Sequence, residues 1–592
     1  MWSMWYASVL SGYETQALNV GSNAMNIALE TLVTAIEKGP KEIAATMAGM
    51  YKGMKEGSAE FRQVLAKGYS PEKIRSKMET KDALENKDFA GGKLNPFNYY
   101  KYVGRFMTAV DTAAFMAAKG SRKQELATEM AKKEGLKGKE LASRVSEILN
   151  NSESAYEDAK AQATEEIEDI ATRTKISDRE KNRLIKLRTT EIVNENLNEE
   201  IDQKARDFAA FVTFNYDPEG VLGFVASKLS EAGNTIPLFK LVAPFTRIVA
   251  NVLNQQIDYT PYGYLRAIGW TVSAKMDRST KAKDIRDRNR KLIKASLGTL
   301  LMSGLYMIIK SYEDDEDPYI AISGKGPSDF NKKNQLYSEG WRPYALKVGD
   351  TWISYQYTPL GVALSYVGNW MDNEKYKELG EKDMATKTGF ALSSSASGVM
   401  DMSFLGGLSG LMSSLTSDGN PEKKVEKLFK TTGRTLTSFI PNLFKQIDKA
   451  IDPTIYESKS IKASILKEIP FARHHLDLKP KLNAFGQDVK KKGNRFFGNV
   501  TEDKVWLFMA ENEVFAPGVS NNTKMLDGRL MTDDEFYDYV KISGNIVYEI
   551  LNEDLEGYKE YFSELTKGEK QKFISKLFKK ARKQAKYSLY DN

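Results

Sequence analysis

The feature that most constrains the fold is the stretch from Ser323 to Gly361, which interrupts a chain otherwise dominated by helical periodicity. It contains two short apolar runs joined by Gly349-Asp350. Glycine and aspartate between two such runs are typical of a two-residue hairpin loop, and we expect a turn of the type II′ class. Gly324-Lys325-Gly326, which proline follows, is too short for a phosphate-binding loop and predicts a turn. The stretch therefore predicts a small β-hairpin.

Composition favours a folded, largely helical protein. The 592 residues are 41% hydrophobic and 28% charged, and the mean hydropathy is −0.47. The charged fraction exceeds the usual quarter, which is typical of long solvated helices. A net charge of +7 permits contact with nucleic acid or anionic lipid without requiring it. We predict a mainly α fold, a multi-helix elongated assembly with one small β-hairpin insertion.

Shifts in composition divide the chain into regions. Near the N-terminus, Asn19 to Lys38 places Ala24, Ile27, Ala28, Leu32 and Ile36 on one face, which predicts an amphipathic helix. The charged arm that follows is interpreted as solvated helices, with a coiled-coil partner surface as the alternative. The regions are an N-terminal helical region (1–120), a charged helical arm (121–205), a helical core with a basic stretch and an apolar helix (206–312), a small β-hairpin module (313–370), a helical region with a Gly-rich apolar run (371–470) and a C-terminal helical region with a basic amphipathic end (471–592).

Two apolar runs are candidates for membrane contact. Ala295–Ile309 has fifteen residues without a charge, whereas a spanning helix needs about 20 apolar residues. It is either a buried core helix or an interfacial or conditionally inserting segment; the second interpretation arises because the basic stretch before it resembles a collar for lipid headgroups. Phe404–Leu411 is a small-residue apolar run suited to tight packing or membrane contact. The candidate membrane-contact residues are Leu297, Leu300, Leu301, Leu305, Ile308, Phe404, Leu405 and Leu408.

Two basic segments are candidates for anion contact. Lys275–Lys294 precedes the apolar helix, and Thr566–Lys586 carries nine Lys or Arg residues against one Glu. The C-terminal segment has three interpretations: a solvated helix face, binding to anionic lipid, and binding to packaged DNA by phosphate neutralisation. No base-reading motif accompanies it. The candidate contacts to DNA or lipid are Arg286, Arg288, Arg290, Lys291, Lys576, Lys579, Lys580, Arg582 and Lys583.

The residues that usually carry catalysis do not form a recognisable site. The chain has no cysteine, which excludes disulfides, thiolate metal sites and cysteine nucleophiles. Its two histidines, His474 and His475, are adjacent and cannot easily chelate one metal ion. Neither a phosphate-binding loop nor a G-x-S-x-G motif occurs. We therefore predict no catalytic, metal-binding or cofactor-binding residues, no cofactor and no enzymatic activity.

An ordered set of short segments resembles one protein family. The segments are Leu10–Gln16 with Asn19 and Asn23, Ala243–Arg247 with Asn251 and Thr260–Gly263, the Ser323–Gly361 stretch, Ile440-Pro441, Ile451–Pro453, Ile469-Pro470 and Asn483–Gly486. Together they resemble the large polyvalent protein-associated domains of giant internal virion proteins of tailed bacteriophages. The family-motif residues in the central stretch are Gly340, Trp341, Pro343, Trp352, Pro359 and Gly361.

The resemblance implies a protein made in the host cytoplasm, packaged in the virion interior and ejected with the genome. In the host envelope it would assist the passage of DNA. The implied partners are other virion proteins, the DNA backbone, the host membrane and further copies of the chain. Family members often carry polymerase, nuclease or peptidase modules, which this sequence lacks, so those activities are not transferred. The alternative is a soluble virion scaffold that carries DNA or a co-packaged enzyme.

Overall fold

In a computed structural model the chain is mainly α with a small antiparallel sheet, as the sequence predicts. The chain divides into two compact units. The first consists of Met1–Lys240 with Pro244–Ser296, and the second of Leu241–Ala243 with Leu297–Asn592. The structure describes residues 8, 10–39, 41–68, 99–173, single positions between 181 and 192, 197–216, 246–268, 281–312, 318–356, 358–376, 442–457, 469–471, 478–490, 497–499, 501–518, 525–526 and 529–590.

The first unit is built from long helices. Gly39 ends the first helix with a φ of +94° and donates its N–H to the carbonyl oxygen of Ala35 at 2.8 Å. The helices are α1 (Tyr13–Lys38), α2 (Lys41–Lys67), α3 (Tyr99–Lys133), α4 (Gly138–Arg173), α5 (Leu197–Val212), α6 (Thr246–Asp258) and the first part of α7 (Lys281–Lys310).

Glycines at four-residue spacing bring α2 and α3 into close contact. Gly49, Gly53 and Gly57 lie one turn apart on α2. A Cβ atom on Gly53 would collide with the carbonyl oxygen of Met116, and one on Gly49 with that of Gly120. Small residues at this spacing allow helix backbones to approach closely. This spacing is visible in the sequence, although our predictions did not use it.

Helix α1 turns its polar side inward. Asn19, Asn23, Asn26 and Glu30 are buried, at spacings of four, three and four residues. The apolar face predicted from the sequence is largely exposed, with 44% of Leu32 and 52% of Ile36 accessible.

Buried polar partners explain why α1 is turned this way. Asn23 Nδ2 donates to Asp111 Oδ1 at 3.1 Å, and Asn26 Nδ2 donates to Gln255 Oε1 at 2.8 Å. Buried amides and carboxylates need such partners, because an unmatched polar group in the interior costs about 1–3 kcal/mol. The face of α1 that is buried is therefore selected by side chains on α3 and α6, which are distant in the sequence.

The second unit combines short strands with helices. The predicted hairpin is present: Val348 pairs with Thr351 across Gly349-Asp350, and Gly349 has a φ of +57°, which favours glycine. The elements after the end of α7 are β1 (Ile320–Ile322), α8 (Phe330–Ser338), β2 (Ala345–Val348), β3 (Thr351–Ser354), α9 (Gly361–Tyr376), α10 (Asn442–Ile451), β4 (Phe497–Asn499), α11 (Lys504–Glu511), β5 (Met525–Leu526), β6 (Arg529–Leu530), α12 (Asp533–Glu553), α13 (Leu555–Ser563) and α14 (Lys567–Tyr590).

The hairpin is the centre of a larger sheet. Four antiparallel strands have the order β1-β2-β3-β4, so that the hairpin gains one strand on each side. Ile322 pairs with Leu346, and Trp352 pairs with Gly498. The flanking strands β1 and β4 have three residues each. Such short runs give too little alternation to be predicted from sequence.

Aromatic side chains form the core of the C-terminal helices. Phe485 lies 4.6 Å from Trp506 and 6.0 Å from Phe578 between ring centroids. Phe508 and Phe562 are fully buried beside them. Since burying such a side chain contributes about 1.5–3 kcal/mol, this cluster fixes α14 against α11, α12 and α13.

Local signals define where these helices begin. Asp503 accepts the backbone N–H groups of Val505 and Trp506 at the start of α11. At the start of α12, Thr532 and Glu535 form a reciprocal capping box. Each cap satisfies donors that a helix leaves unpaired in its first turn.

Candidate lipid-contact site

One described helix is long and apolar enough to cross a membrane. It is Arg288–Lys310, within α7, and its most apolar 18-residue window has a mean hydropathy of 1.7. Only 28% of that window is buried. The core helix of a soluble protein can pass the same test of length and composition, but such a helix is mostly buried.

The side of α7 that is buried in the second unit packs on the sheet and α9. Met302 and Ile309 share a cluster with Ile322 and Val367. Leu305, a predicted membrane-contact residue, is partly buried against the same cluster. This side therefore anchors the helix, and Leu305 belongs to the anchor.

The opposite side of α7 carries an exposed apolar face. The exposed fractions are 71% for Leu300, 42% for Leu301, 70% for Met307 and 47% for Ile308. At about 100° per residue, these four positions and Gly304 fall on one arc of the helix. Ser296, Ser303 and Ser311 are also exposed on or beside this arc. We call Leu300, Leu301, Gly304, Met307 and Ile308 the α7 face.

The α7 face carries no charge because Ala295–Ile309 contains no charged residue, and the cations that precede it are bonded to carboxylates of the first unit. Arg290 donates to Glu30 Oε2 and to Glu37 Oε2, both at 2.7 Å. Lys294 forms an ion pair with the same Glu30, which is 1% exposed. Burial alone would raise the pKa of Glu30, but Lys294 and Arg290 overcome it and lower the pKa below its usual range.

The predicted basic collar is thus partly an internal ion cluster. Arg290 and Lys294 stabilise the first unit instead of standing free for headgroups. Arg288 is half-buried and contacts Asn289 at 3.3 Å, Lys291 is half-buried, and Arg286 lies in the first part of α7.

The first unit buries further charges in the same way. Asp202 is 1% exposed and pairs with Lys123 and Arg206, both at 2.6 Å. Its burial raises the pKa, but Lys119, Arg206 and Lys123 bring the net value down to about 2. The unit therefore holds paired charges inside.

Although the first unit buries charged side chains, it exposes several large apolar side chains. They form stripes on α1 and α2 and also lie on the short helical segment 262–268 that follows α6. The exposed fractions are 47% for Val20, 44% for Leu32, 52% for Ile36, 52% for Met47, 73% for Tyr51, 55% for Met54, 55% for Tyr262, 61% for Leu265 and 59% for Ile268.

The Gly324–Gly326 loop binds an internal carboxylate. Asp372 Oδ2 accepts the backbone N–H groups of Gly324 at 2.9 Å and Gly326 at 2.6 Å. Asn369 Oδ1 accepts the N–H of Lys325 at 2.8 Å. These amides are the donors that a phosphate would need, so the loop is a structural turn. Burial raises the pKa of Asp372 to about 7, although the two amides oppose the shift.

The six residues on which the resemblance depends in this stretch follow the loop in the sequence, and one of them contacts it. Trp341 packs its ring on Gly326, and Gly340 before it has a φ of +95°. Trp352 lies in β3, Pro359 precedes α9, and Gly361 is the first residue of α9. Pro343 lies between Arg342 and Tyr344, just before β2. The motif therefore joins α8, the sheet and α9 into one module.

The candidate anion contacts of α14 are divided between surface and interior. Lys576, Lys579, Lys580 and Lys583 are exposed. Arg582 instead donates to the carbonyl oxygens of Pro517 and Gly518. Its guanidinium also lies 5.5 Å from the Phe578 ring centroid. Arg582 thus contributes to packing.

Other predicted residues lie outside the described residues. These are Phe404, Leu405 and Leu408 of the second apolar run, and His474 and His475. Among the residues that the structure describes, no group of three or more His, Cys, Asp or Glu side chains could hold a metal ion.

Comparison with known proteins gives no relative. No family model, curated protein or solved structure matches the chain.

Proposed function

We propose that this chain is an internal virion protein of a tailed bacteriophage, ejected with the genome, which contacts host lipid through the α7 face. The motif resemblance supports the virion assignment. The observation that supports lipid contact is the exposed α7 face, where Leu300 and Met307 are 71% and 70% accessible. The role is mechanical, because it uses apolar surface and no reacting group.

The α7 face suits contact with the membrane interface. Leu300 to Ile308 covers about 12 Å of helix, far less than the hydrocarbon thickness of about 30 Å. Each large apolar side chain moved from water into lipid contributes about 1.5–3 kcal/mol. Four such side chains give an appreciable affinity without any charged contact. An interfacial helix of this kind lies in the membrane plane with its apolar face buried.

The first unit offers independent support. Its buried ion clusters and exposed apolar stripes are the arrangement expected where the surroundings are apolar and charges must pair inside. Helix α1 illustrates this, since Glu30 is buried with two cations while Ile36 is exposed.

Flotation with vesicles tests the lipid contact. We expect the full chain to float with vesicles of neutral phosphatidylcholine, and Leu300→Asp with Met307→Asp to abolish flotation. Leu305 is unsuitable as a target because it packs on the core. The matched control is Ser563→Asp with Gln584→Asp, which adds the same charge at exposed positions. Equal flotation of both variants would contradict the role of the α7 face.

Mass spectrometry of purified phage particles tests the virion assignment. We expect peptides of this chain in intact particles and their loss after triggered genome ejection. Peptides retained after ejection would indicate a fixed structural component instead. Absence from intact particles would contradict the assignment altogether.

A further inference from the structure

Helix α14 carries a row of exposed lysines on the side away from its core. Ile574, Phe578, Ala581 and Ala585 are at most 2% exposed and belong to the buried side. At about 100° per residue, the exposed lysines fall on one arc opposite these residues. We call them the lysine row: Lys572, Lys576, Lys579, Lys580 and Lys583.

The central lysines have no ion-pair partner within the described chain. Two other lysines, one on α13 and one at the start of α14, are paired: Lys559 lies 3.0 Å from Glu556, and Lys567 pairs with Glu513. Among the residues that the structure describes, no carboxylate lies within ion-pair distance of Lys576, Lys579 or Lys580. Like charges four residues apart destabilise a helix by a few tenths of a kcal/mol. An external anion would remove this repulsion.

The shape of the row fits a linear polyanion. From Lys572 to Lys583 the row extends for about 16 Å along the helix axis. Double-stranded DNA carries one negative charge for about every 1.7 Å of its axis, so several phosphates lie within reach of the row. Lysine is a flexible point charge without the planar fork of arginine, which suits phosphate contacts that do not read bases.

We infer that the lysine row binds the phosphate backbone of double-stranded nucleic acid without sequence preference. An anionic membrane is the competing ligand. An interfacial helix needs a free apolar face, but the apolar face of α14 is occupied by the aromatic core around Phe485 and Phe562. Among the α14 side chains that the structure describes, the large exposed aromatic is Tyr587, in the last turn of the helix. This inference does not rest on lipid contact by α7.

Fluorescence anisotropy with a labelled 20-base-pair duplex tests the inference on the full chain. With four lysines at phosphates, the logarithm of the association constant should fall with the logarithm of salt with a slope of about −3.6. That slope corresponds to a loss of roughly 150-fold in affinity between 50 and 200 mM salt. A second duplex of unrelated sequence should bind equally well.

Two double variants with the same change in charge identify the surface. Lys576→Glu with Lys580→Glu should weaken binding at least tenfold and reduce the slope by about 2. Lys504→Glu with Lys541→Glu, at exposed positions of α11 and α12, should leave both unchanged. A third variant, Lys576→Gln with Lys580→Gln, removes the two positive charges without adding negative ones, and circular dichroism checks that it is folded. It should also reduce the slope by about 2.

Three outcomes would overturn the inference. One is equal weakening by the α14 and control variants. Another is a duplex affinity that does not depend on salt. The third is flotation with anionic vesicles that the α14 variants abolish, together with no measurable binding to duplex. That result would assign the row to lipid headgroups.

Discussion

Asp372 places a titratable group at the centre of the motif module. Its carboxyl group is buried and accepts two backbone N–H groups from the Gly324–Gly326 loop. Burial raises its pKa from the ordinary value of 3.8 to about 7, while the two amides, Lys375 and Lys333 oppose the shift. The charged form is therefore disfavoured in the folded protein.

The direction in which stability changes with pH follows from proton binding by Asp372. Between pH 3.8 and about 7 the folded state holds a proton that the unfolded state has released. The contribution of Asp372 to stability is therefore fully present below pH 3.8 and is lost as the pH rises towards 7. A shift of about three units corresponds to a loss of about 4 kcal/mol, of which about 3 kcal/mol falls between pH 5 and pH 8.

Asp372→Asn isolates this contribution because the amide oxygen can still accept the loop N–H groups and does not titrate. We expect the stability of the variant relative to the wild type to rise by about 3 kcal/mol from pH 5 to pH 8. Urea unfolding followed by tryptophan fluorescence measures it, since Trp341 packs on Gly326. Asp350→Asn, in the exposed hairpin turn, is the control. A stability difference that stays constant across this pH range would refute the reasoning.

Three further substitutions test the first unit by urea unfolding. Glu30→Gln leaves Arg290 and Lys294 buried without their shared carboxylate, and should lower the free energy of unfolding by about 3–5 kcal/mol. An unchanged urea midpoint would mean that the ion cluster is not formed. Gly53→Ala should lower the free energy of unfolding by about 1–3 kcal/mol because the new Cβ meets the backbone of α3. Gly21→Ala, with open space around it, should raise the free energy of unfolding by up to about 1 kcal/mol. Equal effects of the two substitutions would contradict the close packing of α2 on α3.

Helices and the hairpin could be predicted because their signals are local. The apolar period of α1 gave a helix, and Gly349-Asp350 gave the turn between β2 and β3. Both depend on residues within a few positions of each other, where backbone preference decides. The sequence predicted the hairpin but not the strands on either side of it. One of these, β4, lies about 145 residues after its partner β3, beyond the reach of local signals.

The candidate site was only partly predictable. The sequence identified α7 and α14 as segments of interest, and Leu300 and Lys576, which it named as candidate contacts to lipid and to anions, are exposed in the structure. It could not show that Leu305 packs on the core or that Arg582 donates to backbone carbonyls. Leu300 and Leu305 lie five positions apart, yet one is exposed and the other is packed, because the packing partners come from distant segments of the chain.

The sequence by itself determined the helical class, the hairpin, the absence of cysteine chemistry and the positive charge of α14. Only the tertiary structure decided which side of each helix faces inward. In α1 the inward side is polar because Asp111 and Gln255 supply hydrogen bonds, and Arg290 supplies an ion pair, from remote positions. Periodicity places residues on a common face, but the partners brought by the fold determine whether that face is buried.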